Sequence, residues 1–382
     1  MILFDALRIY LAAWLQAFTR SGRRHAPLGL RRVLFLVCAP AGLVLFALHG
    51  LCLALDELLY PAFRRTAVRG PVFILGVPRS GTTYLHRELA EDSRFATTAT
   101  WELLLAPAIC QRRAISLLLA LDRALGAPLA RLGGLLERRL ASPMDSVHSV
   151  GLEAAEEDYL ALLPAAGCFF ASLAFPGSRA LRDLAHPQDI PRERRERLLA
   201  HYHGLIQRHL FHHGKTLFLS KNAAFASWLP YLAERYGDGR FVLCIRDPAS
   251  ALSSQLSSLA GARSLFATYG ADDELAERFA AHYARWFDDL ATWQCDGDNP
   301  GLVVDQGWLR HNSEGALAAI YDALGLAAVD RPPVPDGSAA TAQSPPHRHS
   351  AADWNFPEEQ MVMMTSAYRR LRHSALDTLV TP

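Results

Sequence analysis

The chain has 382 residues, half of them apolar, with 39 basic against 38 acidic side chains and a formal net charge of +1. That length suits one large α/β domain or two smaller ones, and the near-neutral balance excludes a general nucleic-acid binder, which carries a strong basic excess. The six cysteines, Cys38, Cys52, Cys110, Cys168, Cys244 and Cys295, form no CxxC pair, which speaks against a zinc site or disulfide scaffold and for reduced thiols.

Residues 2–18, ILFDALRIYLAAWLQAF, have the spacing of an amphipathic helix. A basic turn follows, with Arg20, Arg23, Arg24, Arg31 and Arg32. Residues 33–55, VLFLVCAPAGLVLFALHGLCLAL, then run without a charge for a length that fits a membrane span. The run lies too far from the start for an ordinary signal peptide, and its basic flank favours membrane association. The alternative is a buried helical hairpin broken at Pro40 and Gly42, packed on the domain or lying in the membrane interface. Arg64, Arg65 and Arg69 follow the run, so charge orients it only weakly. The expectation is a helical, membrane-associated segment over 1–69, placing the protein on the cytoplasmic face of a membrane or in the cytoplasm.

From Val72 the pattern alternates between strand and helix, as in an α/β domain. Strands are predicted at Val72–Leu75, Thr216–Leu219, Phe241–Ile245 and Leu302–Val304. Helices are predicted at Thr82–Glu91, Arg194–His212, Ala224–Tyr236, Ala249–Leu259, Glu274–Thr292 and Glu314–Leu324. Residues 103–141 also read as helical, with interruptions at Pro107, Gly126 and Pro128. The Pro-rich stretch 330–350 reads as a loop or tether, and 351–382 as a C-terminal helical segment. There is no internal repeat.

Two stretches carry chemistry. In FILGVPRSGTTYLHREL, residues 73–89, an apolar run leads through Gly76 and Gly81 into a helix, the order of a phosphate-binding loop. Gly76 and Gly81 have the G-x-x-x-x-G spacing, but Thr82 and Thr83 stand where a nucleotide triphosphatase carries Lys then Ser or Thr. Such a loop still offers helix N-terminal amides to an anion. Arg79 adds a planar fork of donors, Ser80, Thr82 and Thr83 add hydroxyls, and nothing in the motif demands a metal. In RFVLCIRDPASALSSQLSSL, residues 240–259, Arg246 sits at the C-terminal end of a strand, the edge where open α/β sheets bind ligands. Asp247 and Pro248 suit an N-cap and first turn. Ser250 and Ser254 then fall one turn apart, so that Arg246 and a serine can grip a second phosphate.

Together these stretches resemble the sulfotransferases that use 3′-phosphoadenosine 5′-phosphosulfate (PAPS). PRSGTTY, residues 78–84, is similar to the family's 5′-phosphosulfate loop, in which Lys or Arg stands where Arg79 stands. Arg246 and Ser254, eight apart, match the family's 3′-phosphate arginine and serine. TWELLLAP and LSKNAAF extend the pattern, which spans roughly residues 70–325 and looks most like the large bacterial-type branch. The resemblance implies a P-loop-type parallel sheet flanked by helices over 70–329, PAPS as donor, no metal requirement, and sulfonyl transfer to a hydroxyl or amine. It also places Lys221 near the transferring group.

The base is a choice between residues. Cytosolic relatives carry His two residues after the equivalent of Lys221, where this chain has Ala223. Other branches use a glutamate just over twenty residues beyond the loop, which matches Glu102. Its apolar neighbours Trp101 and Leu103 predict a raised pKa. His148 is the competing base. The acidic run Glu153, Glu156, Glu157 and Asp158 reads as a solvated face, and His209 and His213 have the spacing of a metal pair without an evident third ligand. His347, Arg348 and His349 suit the basic loop with which the family often covers the 3′-phosphate. Residues 103–200, rich in Leu, Ala and Phe, predict an apolar small-molecule acceptor. The other readings are a P-loop kinase or NTPase, which would need Lys at position 82 and a separate magnesium-binding Asp, and a non-catalytic membrane scaffold. The sequence does not set an oligomeric state.

Overall fold

The computed structural model describes residues 2–128, 157–268, 272–296, 301–326, 354 and 356–376. Among these, five parallel strands make one sheet in the order β2-β3-β1-β4-β5: β1 (Val72–Gly76), β2 (Phe95–Ala96), β3 (Leu217–Lys221), β4 (Arg240–Ile245) and β5 (Leu302–Asp305). The four strands expected from the sequence are present. The two-residue β2 is too short to leave a periodic signal. Every β1 residue is buried, as a strand covered on both faces requires. Its side chains divide between two cores: Phe73 and Leu75 on one face, Val72 and Ile74 on the other.

The chain leaves central β1 for β2 and β3 on one side, then crosses to β4 and β5 on the other. The carboxyl ends of β1 and β4 therefore flank a topological switch point, the crevice where open α/β sheets take ligands. On one face, α4 (Thr82–Ala90) and a later helix (Ser313–Ala323) pack Leu85, Leu89, Leu317 and Ile320 against the strands.

The N-terminal segment does not stand apart. It forms α1 (Ile2–Ala17), α2 (Arg20–His25) and α3 (Leu30–Leu59), and Ala6, Tyr10, Ala13 and Leu53 share the core of Phe73 and Leu75. The hairpin considered for Pro40 and Gly42 is not formed, because α3 runs unbroken through both. Proline removes one helical hydrogen bond, but packing on both sides of it holds the helix together. Arg32 donates to the carbonyls of Ala174 and Phe266 at 2.8 and 3.0 Å. Near the other end, Asp56 accepts from the amides of Ile109 and Cys110 at 2.8 and 2.9 Å and pairs with Arg208. Those amides open α6 (Ile109–Ala124), which follows the short α5 (Thr100–Leu104). Asp56 thus caps a helix fifty residues away.

The long α7 (Arg192–His213) precedes β3. The stretch expected as one helix from Ala224 to Tyr236 is a 3-10 turn (Ala223–Trp228) followed by α8 (Leu229–Arg235). Then come α9 (Pro248–Phe266) after β4, α10 (Asp272–Asp296), and α11 (Glu358–His373) near the C-terminus. The Tyr368 hydroxyl on α11 donates to Asp305 at 2.9 Å, docking the C-terminal helix at the carboxyl edge of β5.

Candidate active site

The loop after β1 is built by close approach. Gly76 has a φ of +145°, and a Cβ there would lie 2.1 Å from the Cys244 carbonyl oxygen of β4, so only glycine lets the strands meet. Arg79 takes a φ of 69°, a left-handed conformation uncommon for a residue with a side chain. Gly81, at φ 91°, is the N-cap of α4 and brings no capping side chain. The start of α4 is therefore open to an acceptor supplied from outside the helix.

The surroundings hold the loop from behind. The Ser80 hydroxyl donates to the Val77 carbonyl at 2.7 Å, and the Tyr283 hydroxyl to that of Pro78 at 2.9 Å. Arg246 Nη1 donates to the carbonyl of Arg79 at 3.1 Å, while Arg79 Nε donates to Ser254 Oγ at 3.0 Å. Two sequence stretches whose contacts lie 167 and 175 residues apart thus meet at one spot. The guanidinium of Arg246 is half-buried, and burial first, then the charges of Arg79 and Arg310, lower its pKa. Arg79 and Arg246 meet beside the N-terminus of α4, with the charge of Arg310 acting on Arg246, so a chain of near-zero net charge has a local positive cluster that can hold an anion. Thr82 is buried in the first turn of α4 and Thr83 is half-buried. Asp247 caps α9 by accepting from the Ser250 amide at 2.9 Å.

Lys221 is not a solvated loop lysine. It ends β3, beside Ile74 of β1, is 3% exposed, and has its Nζ 2.8 Å from Glu157 Oε1. Glu157, read from the sequence as part of a solvated acidic face, is instead the partner of a buried cation. Asp158, the next residue, is buried and accepts from Ser220 of β3 at 3.1 Å and from the Tyr202 hydroxyl. These bonds fasten the segment from Glu157 onward to β3 and α7. Burial raises the Asp158 carboxyl to about 7 against the opposing effect of both hydrogen bonds. The surface expectation for the run therefore fails at Glu157 and Asp158, because long-range partners decide their burial. Glu153 and Glu156 lie outside the described residues.

The expectation for Glu102 is also overturned in its physics. Glu102 is buried, but not among apolar groups alone. Its Oε2 accepts from the Ala99 amide at 3.0 Å, His213 lies 2.9 Å from its Oε1, and Arg112 is 3.5 Å away. Burial would raise its pKa, yet the His213 hydrogen bond and the charge of Arg112 outweigh that and bring it down to about 2. Glu102 also supplies the third member, hidden in the sequence, of a group with His209 and His213. The Arg112 guanidinium stands among the three, 3.0 Å from His209 Nδ1, and supplies the positive charge there. His148 and Arg348, with His347 and His349, lie outside the described residues.

An apolar pocket adjoins the loop. Pro78 forms one wall, Phe169, Phe170 and Leu173 another, with Phe279 and Trp286 of α10 and the amide of Gln255 completing it. Tyr159, two residues beyond Glu157, packs edge-on against Phe170 at 5.0 Å between ring centroids. The Lys221–Glu157 pair is thereby linked to both the sheet edge and the pocket wall. His86, on α4, is buried with Nε2 2.6 Å from the Thr97 hydroxyl. Burial and the charge of Lys221 lower its pKa to about 3, so it is neutral at pH 7.

Residues 71–330 match the model of the sulfotransferase family. Among solved structures, the fold is similar to sulfotransferase STF1 from Mycobacterium tuberculosis H37Rv, with a TM-score of 0.69 and 18% identity, covering 96% of this chain and 91% of that one. It is also similar to sulfotransferase STF9 from Mycobacterium avium, with a TM-score of 0.61 and 16% identity over 96% of this chain and 94% of that one. No curated protein matches the chain significantly.

Proposed function

Because the chain belongs to the sulfotransferase family, we propose that it moves a sulfonyl group from PAPS to a hydroxyl or amine of a small apolar acceptor. The observation that carries the donor assignment is the meeting of Arg79, Arg246 and Ser254 at the N-terminus of α4. In this reading Ser80, Gly81, Thr82 and Thr83 present amides and hydroxyls to the 5′-phosphosulfate, and Arg246 and Ser254 hold the 3′-phosphate, with Arg348 as the family resemblance implies. No lysine for an outer phosphate is needed, because PAPS carries none. The reading requires no metal.

Transfer forms a bond from the acceptor oxygen or nitrogen to sulfur and breaks the bond from sulfur to the 5′-phosphate oxygen. Arg79 and the α4 amides offset the charge that grows on the departing phosphate. In this reading Lys221 helps to offset the same charge, and its partner Glu157 takes the acceptor's proton. Glu157 replaces Glu102 in that role, since a carboxylate held near 2 by His213 and Arg112 is a poor base at neutral pH. The pocket of Pro78, Phe170 and Trp286 supports an apolar acceptor.

Thermal unfolding with 3′,5′-adenosine bisphosphate, and separately with ATP and magnesium, tests the donor. Stabilisation by the bisphosphate without metal is expected, and stabilisation by ATP–magnesium alone would overturn the proposal. A screen of extracted metabolites for added sulfate tests the acceptor, and sulfation confined to highly charged glycans would reject an apolar one.

A further inference from the structure

α3 has two stripes of opposite circumstance. Arg32, Leu36, Leu43, Phe46, Gly50 and Leu53 face the protein. On the other side Leu34, Val37, Val44, Leu48 and Leu51 are exposed, with Val37 and Val44 at 69% and 71%. A helix with one free face in water carries polar residues there. This one carries none over its charge-free run. The apolar surface continues sideways onto α1, where Phe4, Leu7, Leu11 and Leu15 are exposed. It extends to α6 through Leu117, Leu118 and Leu121, with α6 packed on α3.

The helix is long and apolar enough to cross a bilayer, but its docking forbids that. Arg32 and Asp56 fix it to the protein at both ends. The 24 residue steps from Arg32 to Asp56 span about 36 Å. His49 adds a contact between them, 3.2 Å from the Leu104 carbonyl oxygen. A crossing helix would have to shed all of these contacts and leave Arg208 facing an emptied partner site. We infer that α1, α3 and α6 form a monotopic platform whose outer face lies in one leaflet of a bilayer rich in anionic headgroups.

Charge decides between a lipid surface and a second copy. Arg20, Arg23 and Arg24 are exposed just before α3, Arg31 in its first turn, and Arg65 and Arg69 just after it. The acidic residues nearby are engaged, Asp5 with Arg197 and Glu57 with Arg64 and Arg208. Two such faces packed together would bring like charges into contact at both ends of α3, whether parallel or antiparallel. Anionic headgroups complement both ends, at about fivefold in affinity per arginine near the surface. The inference does not rest on the donor or acceptor proposed above.

The test uses the full-length chain and flotation with phosphatidylcholine vesicles, with and without a third phosphatidylglycerol. Flotation should strengthen with the anionic lipid. Leu48→Glu, at an exposed site, should unfold normally by circular dichroism yet lose roughly tenfold or more in partitioning. The double variant Arg23→Ser/Arg24→Ser should lose binding mainly on the anionic vesicles. Cys38 is exposed on α3, so a polarity-sensitive fluorophore attached there in a Cys295→Ser background should shift to the blue on vesicles. No flotation on either lipid would overturn the inference. So would a dimer that Leu48→Glu converts to a monomer, a Cys38 shielded from thiol reagents without vesicles, or labelling that places the two ends of α3 on opposite sides of a bilayer.

Discussion

Arg79 holds a left-handed backbone position for which glycine is the easier occupant, and its carbonyl and guanidinium are both engaged by residues from the second arginine stretch. An arginine kept there at some conformational cost has a use for its charge. Arg79→Ala should retain the fold, weaken bisphosphate binding by about 2–5 kcal/mol and abolish transfer, read by calorimetry and turnover. Arg246→Ala should instead raise the donor KM more than it lowers kcat, since the 3′-phosphate does not change charge during transfer. A loss of kcat alone would move Arg246 to the reacting end. At the proton-accepting position, Glu157→Gln should cost about 10²–10⁴-fold in rate with donor affinity nearly unchanged. Glu102→Gln should chiefly lower stability by loosening the cluster of Arg112, His209 and His213. The reverse outcome would return the base to Glu102, and a large loss confined to His148→Asn would give it to the histidine.

At the scale of elements, two long-range clamps decide what the loops can do. Asp158 joins the segment after residue 156 to β3 and α7, and so keeps Glu157 beside Lys221. Its pKa is raised by burial, from 3.8 in the unfolded chain to about 7 when folded. The folded state therefore binds the proton more tightly. The corresponding stability is fully present below pH 4 and is lost as pH rises through 7. Asp158→Asn should remove that decline, visible as a flatter dependence of thermal stability between pH 4 and 7. An unchanged slope would mean that another group titrates there. Asp56 is the second clamp. Asp56→Ala leaves Arg208 without its fully buried partner and α6 without its cap. It should cost about 3–5 kcal/mol, measured by denaturant unfolding. That cost also argues that removing residues 1–60 harms the fold, contrary to what a detachable anchor would suggest.

The whole molecule gathers these parts at one edge. The switch point between β1 and β4 holds Arg79 and Arg246, the proposed anion site, β3 supplies Lys221, the segment from 157 to 175 supplies Glu157 and an aromatic wall, and α11 closes on Asp305. Much of this was legible in the sequence. The fully buried parallel strands announce themselves as short apolar runs, because covered strands need no alternation. The loop is legible because backbone geometry and anion chemistry require glycines and an arginine at fixed local spacing. Arg246, Asp247 and Ser254 are legible for the same reason, since a strand end and the helix after it are set within ten residues. Tertiary structure alone decided the rest. Whether Glu157 is solvated, whether Glu102 is raised or lowered, and whether an apolar helix stands apart from the domain or docks along it all depend on partners distant in sequence. For Glu157 that partner is Lys221, for Glu102 it is Arg112 and His213, and for α3 they are Ala174 and Arg208. Local spacing fixes backbone conformation and the types of side chain available, while desolvation and charge pairing, which set a carboxylate's chemistry, act through space.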